Sequence, residues 1–122
     1  MKPKSLNRNT GAFGESIGEA YLAKLGYRIL ERNVRSPFGE IDLVADDKGT
    51  VVFVEIKTRR NLSYGFPEES VGRRKQKKLA SLASWYLMHY PKRNPQVRFD
   101  VLSILLSDHK PEIRLIQQAF EV

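Results

Sequence analysis

Phe38-Gly-Glu-Ile-Asp-Leu-Val-Ala45 and Val51-Val-Phe-Val-Glu-Ile-Lys-Thr58 decide the reading of this chain. Both are runs of β-branched and aromatic residues, as strands require. Asp46-Asp47-Lys48-Gly49-Thr50 joins them, and its turn-forming residues make the pair a hairpin. A tight turn at Lys48-Gly49 pairs Asp47 with Thr50, and a four-residue loop from Asp47 to Thr50 gives the same register. In that register Val44 faces Phe53, Asp42 faces Glu55 and Glu40 faces Lys57. Side chains alternate along a strand, so all six are expected on one face, apolar near the turn and charged at the far end.

Carboxylates inside apolar strands are costly unless partnered. Directly opposed side chains have Cβ atoms about 4.5–5.5 Å apart, and two carboxylates that close repel unless one is protonated or a cation lies between them. A hard divalent ion suits oxygen ligands. Lys57, two residues beyond Glu55, shares its face and can orient or deprotonate a water, or stabilise charge on a phosphate. Acids for a metal plus a lysine make a phosphodiester-hydrolysis site. The competing reading is a surface hairpin with ion pairs Glu40–Lys57 and Asp42–Arg59, each worth little.

Working outward, residues 1 to about 10 read as a flexible basic tail and 11–122 as one domain. Phe13, Ile17, Ala20, Tyr21 and Leu25 recur at helical spacing over Gly11–Leu25, with Gly26 as the stop. Tyr27–Val34 reads as a strand and Asn61–Pro67 as a loop. Ser70–Tyr90 reads as the longest helix, its apolar face drawn from Leu79, Leu82, Ala83, Tyr86, Leu87 and Tyr90, with Trp85 beside Tyr86 and Tyr90 expected in the core. Val97–Leu106 and Ile113–Phe120 read as closing strands. The order α-β-β-β-α-β-β places the chain in the α/β class.

The formal net charge is +7, and it is concentrated: between Lys57 and Lys78 stand eight Lys or Arg against two Glu. Clustered positive charge suits a polyanion. Arg59, Arg60, Arg73, Arg74, Lys75 and Lys78 are the candidates for phosphate contacts, and Tyr64 beside them for stacking on an unpaired base. The absence of cysteine excludes disulfides, thiolate metal sites and a cysteine nucleophile. His89 and His109 lack metal-ligand spacing, and no phosphate-binding glycine loop, nucleophile elbow or dinucleotide fingerprint occurs. With no apolar leader and no run of roughly 20 apolar residues, a soluble cytoplasmic protein with no membrane partner is expected.

Asp42 followed by Glu55-Ile56-Lys57 resembles the PD-(D/E)xK nuclease motif. More closely, the chain resembles the YraN-like family of uncharacterised bacterial proteins, predicted endonucleases related to archaeal Holliday-junction resolvases. The matching pieces are GESIGEAYLAKLGYRILERNVR at 14–35, GEIDLVADD at 39–47, VFVEIKTRR at 52–60, YGFPEESV at 64–71 and VRFDVLSI at 97–104. The resemblance implies a restriction-endonuclease-like mixed sheet flanked by helices. It also implies a Mg2+ or Mn2+ cofactor and a structured or branched DNA substrate, with RNA as an alternative. Asp42 and Glu55 would be metal ligands, the Ile56 carbonyl a third, Lys57 the catalytic lysine and Glu15 the helical acid. Glu19 and Glu40 rank below these. Gly18 stands where the family more often has alanine. Likeness to resolvases suggests a homodimer. A module that keeps the fold and binds nucleic acid without cutting is the alternative function.

Overall fold

In a computed structural model the chain is described over residues 3–60, 72–106 and 110–120, with residues 3–10 as backbone only. Helix α1 spans Pro3–Lys24, followed by strands β1 (Arg28–Ser36), β2 (Gly39–Asp47) and β3 (Thr50–Arg59). Helix α2 (Arg73–Leu87) precedes β4 (Gln96–Leu105) and β5 (Glu112–Ile116). The strands form one sheet in sequence order. β3 and β4 pair in parallel and every other neighbouring pair is antiparallel. A parallel pair needs a crossover, and α2 lies within it. The mixed sheet and the expected order of elements are both present.

β3 is buried on both faces, which is why it reads as a continuous apolar run. Val51 and Phe53 face α2 with Val44, Leu79, Leu82, Ala83 and Phe99. Val52 and Val54 face α1 with Leu22, Leu43, Ala45, Leu102 and Ile104. Phe53 stacks on Phe99 at 5.6 Å between ring centroids and meets Tyr86 edge-on. Val44 opposes Phe53 and the pairs run from Asp47↔Thr50 to Leu43↔Val54, the register expected from the turn. Lys48 and Gly49 both have positive φ (52° and 96°), as a type I′ hairpin turn demands.

Three expectations are corrected. First, α1 begins at Pro3, ahead of the helix start expected at Gly11. Proline suits a first turn, because its missing N–H would have no intrahelical partner there. Second, Phe13 and Leu25 are exposed. The inward stripe of α1 is Gly14, Ile17, Gly18, Tyr21 and Leu22, and its two glycines hide it from a search for apolar periodicity. Third, Trp85, expected in the core, is 37% exposed, while Tyr86 and Tyr90 pack against the α2-side core.

On the α1 side of β4 a polar cluster is built into the sheet. Asp100 is 1% exposed. It accepts from Tyr27 Oη (2.8 Å), Arg98 Nε (2.9 Å), Arg98 Nη2 (3.0 Å) and the Gln118 backbone N–H (3.1 Å). Arg98 also donates to Asp47 at 2.9 Å. Removing one member of such a network strands a buried charge. Asp100→Ala should therefore lower stability by about 3–5 kcal/mol, read by urea denaturation; a variant as stable as the parent would contradict this role.

Candidate active site

The β2–β3 ladder ends at Leu43↔Val54, and the site begins where it stops. Beyond that pair Asp42 turns its carboxylate towards β3 and accepts the Ile56 backbone N–H at 2.7 Å. A side chain thus takes a place that a ladder carbonyl holds elsewhere. In an extended strand the N–H and C=O of one residue point to the same edge, so the Ile56 carbonyl also faces this opening.

The cause is a slip in strand phase. Leu43 and Ala45 belong to the α1-side core, yet Val44 and Ile41 share the α2-side core although they stand three positions apart, an odd spacing that regular alternation would put on opposite faces. Opposite the slip, Asn33 in β1 has φ 51°, a left-handed conformation that reverses alternation. The expectation that Glu40, Asp42 and Val44 share one face with Phe53, Glu55 and Lys57 therefore fails at Asp42. Glu40, also expected to face Lys57, is instead exposed and pairs with Arg35 at 3.3 Å across β1 and β2.

Asp42 and Glu55 still converge, because Asp42 sits at the slip and reaches across it. Burial pushes the Asp42 carboxyl up to about 7. The Ile56 N–H opposes this rise, and the charges of Glu55 and Glu15 add to it. Glu55 is 6% exposed. Its buried Oε2 has no hydrogen bond of normal geometry, and is held instead by two ammoniums. Lys57 Nζ lies 3.6 Å away, and Lys75 Nζ, from the first turn of α2, makes direct contact. Burial and the neighbouring Lys75 hold Lys57 below the usual lysine range, against the pull of Glu55. Burial draws Lys75 down as well, but Glu55 and Lys57 keep it above that range.

Glu15 reaches the site from α1 because the helix comes very close to β3. A Cβ on Gly14 would lie 2.2 Å from Thr58 Oγ1, and one on Gly18 would lie 2.7 Å from Leu102 Cδ2. Only glycine at 14 allows this approach. Alanine at 18 would require Leu102 to give way, so Gly18 is fitted to this packing. Burial and the charge of Glu40 raise the Glu15 carboxyl. Glu19 is engaged elsewhere, held by Arg32 through Nε (2.8 Å) and Nη2.

The other expected residues divide. Arg59 ends β3 partly buried, and Arg60 follows it exposed. Arg73, Arg74 and Lys78 are exposed at the start of α2. Tyr64 lies outside the described residues. Lys75, expected on a solvated phosphate-binding face, is in the site. Its signal was present in the sequence: Lys75, Leu79, Leu82 and Tyr86 stand at i, i+4, i+7 and i+11 on one helical stripe. A groove of about 450 Å3 adjoins the site, lined by Phe38, Glu40, Arg74, Lys75, Lys78 and Leu82 among others.

Among the described residues no group of three or more His, Asp or Glu side chains could hold a metal by itself. The groups that could serve as donors are the two carboxylates Asp42 and Glu55 with the Ile56 carbonyl. This set fits Mg2+, which keeps several waters and takes one or two carboxylates, better than a cation needing a full protein cage.

A family model described as uncharacterised protein family UPF0102 matches residues 14–104. The chain belongs to this family. A UPF0102 protein of Syntrophomonas wolfei is 46% identical over 115 residues, covering 94% of this chain and 100% of the relative. One of Symbiobacterium thermophilum is 47% identical over 116 residues, covering 94% and 98%. One of Persephonella marina is 47% identical over 95 residues, covering 78% and 82%. The resemblance to the YraN-like family is thus borne out, and the UPF0102 match spans every site residue from Glu15 to Lys75.

An acid whose pKa is higher in the folded state than in the unfolded chain costs stability once the unfolded state ionises first. For Asp42 the cost begins near the ordinary aspartate value of about 3.9 and is complete above about 7. Asp42→Asn keeps an acceptor for the Ile56 N–H and cannot ionise. It should stabilise the metal-free protein at pH 8 by about 1–3 kcal/mol, and change little at pH ~4. Denaturant melts at both pH values check this, and a destabilised variant at pH 8 would contradict it.

Proposed function

We propose that this UPF0102 protein is a metal-dependent endonuclease that hydrolyses phosphodiester bonds in DNA, preferring structured or branched DNA. The observation that carries the reading is the convergence of Asp42 and Glu55 at the end of the β2–β3 ladder, with Lys57 against Glu55. Forcing two carboxylates together in a half-dry site costs stability, and binding a divalent cation removes that cost.

Asp42 and Glu55 would hold Mg2+ or Mn2+ together with the Ile56 carbonyl, and Glu15 adds negative charge from the α1 side. When bound, the ion would supply a hard Lewis acid at the scissile phosphate. Lys57 has its stem fixed by β3 and its ammonium beside Glu55. It orients the attacking water and donates to the phosphate oxygen on which charge develops. Its lowered pKa leaves more of it unprotonated at neutral pH than a free lysine, so that fraction is available to take a proton from the water.

Arg59, Arg60, Arg73, Arg74 and Lys78 flank this centre and suit the phosphates on either side of the cut. DNA is the proposed partner, with RNA offering the same phosphates. A homodimer, as paired cuts at a junction would need, and a cytoplasmic setting belong to the same reading. Among the described residues no helix is long and apolar enough to cross a membrane.

Purified protein incubated with Mg2+ or Mn2+ and a panel of linear, flapped and four-way DNA tests the proposal. The expected result is metal-dependent cleavage that falls by about 100-fold or more in Asp42→Ala and in Lys57→Met. Equal cleavage by Asp42→Ala would remove this site from the reaction. Salt-sensitive binding of every substrate with no cleavage would instead favour a non-catalytic nucleic-acid-binding module.

A further inference from the structure

Lys75 is the residue of this site that the motif does not explain. It comes from α2, not from the hairpin, and stands on the stripe that α2 presents to the core. Its ammonium contacts the same buried oxygen, Glu55 Oε2, that Lys57 approaches at 3.6 Å. One carboxylate oxygen thus carries two cations. With Asp42 and Glu15 the site holds three acids and two lysines, so the second lysine offsets part of its negative charge without any metal.

The two lysines are not equivalent. Lys57 lies two residues from Glu55 on the same strand, and its side chain is 19% exposed. Its side chain is the more enclosed of the two. Lys75 is 38% exposed, on a four-carbon stem, and also lines the groove shared with Arg74, Lys78 and Phe38. It can leave Glu55 by rotating its stem into that groove. A divalent cation arriving at Glu55 repels the nearest ammonium, and of the two Lys75 is the more exposed and has the groove beside it.

Resting on the metal-site reading above, we propose that Lys75 is the counter-ion of the metal-free site. It holds Glu55 in position, competes with the divalent cation for it, and on displacement swings into the groove to meet a substrate phosphate. It is a positioning residue towards the cation and a binding residue towards nucleic acid.

Mn2+ binding without nucleic acid, measured by calorimetry on the full chain, separates this role from a structural one. Removing a competing charge a few ångströms from the ion should tighten Mn2+ binding about three- to tenfold in Lys75→Met. Lys75→Arg, which keeps the charge, should stay near wild type. A residue that merely pinned α2 to the sheet would give the opposite sign, weaker Mn2+ binding on removal. Lys75→Met should also bind flapped DNA more weakly once Mn2+ is saturating.

Wild type that binds Mn2+ saturably, alongside Lys75→Met and Lys75→Arg that both bind it equally or more weakly, would overturn the inference and leave the metal site standing. Wild type that binds no Mn2+ would overturn both.

Discussion

The contact between the Asp42 carboxylate and the Ile56 backbone N–H, 2.7 Å long, fixes what the rest of the site can do. A β-ladder that continued past Leu43↔Val54 would satisfy β3 with a carbonyl and leave Asp42 on a sheet face. Here the ladder stops, the side chain fills in, and a carboxylate is carried into the space between two strands. The contact favours the ionised form, while burial and the neighbouring Glu55 and Glu15 disfavour it, and burial is the largest influence. The carboxyl is thereby left near the middle of the physiological range, a tension that a positive ion relieves.

Each flanking element meets this opening with charge or with space. α1 comes down on β3 over Gly14 and Gly18, which brings Glu15 to the site. α2, placed within the crossover between parallel β3 and β4, brings Lys75 at its first turn and exposes Arg73, Arg74 and Lys78 beside it. The charge excess of this chain is therefore not spread as a general coat. One lysine of the basic run is turned inward to the acids, and Arg74 and Lys78 line the groove beside it. At the other end of α1, the Tyr27–Asp100–Arg98 cluster ties the start of β1 to β4, and Arg98 reaches on to Asp47 beside the hairpin turn.

Much of this was legible in the residues. The Lys48-Gly49 turn alone set the β2–β3 register, and the pairing from Asp47 to Leu43 follows it. The Val51–Val54 run was read as a strand, and the fold buries it on both faces. Two things were not legible. Strand parity is a local rule, and one left-handed residue, Asn33, with the slip opposite it at Asp42, reverses it without any signature in the hydrophobic pattern. The close approach of α1 is written in glycines, which carry no hydrophobic signal of their own. Lys75 was readable in principle from its place on the stripe of Leu79, Leu82 and Tyr86, but it stood inside a run of like charges that invited a uniform surface reading.

The proposed function requires the Asp42–Glu55 pair to be a divalent-cation site. Carbon-detected NMR titration of the Asp42 carboxyl, with and without saturating Mg2+, tests it most directly. The expected midpoint is near 7 in the metal-free protein, falling below the ordinary aspartate value of about 3.9 when Mg2+ is present. A midpoint that is the same in both conditions would contradict it.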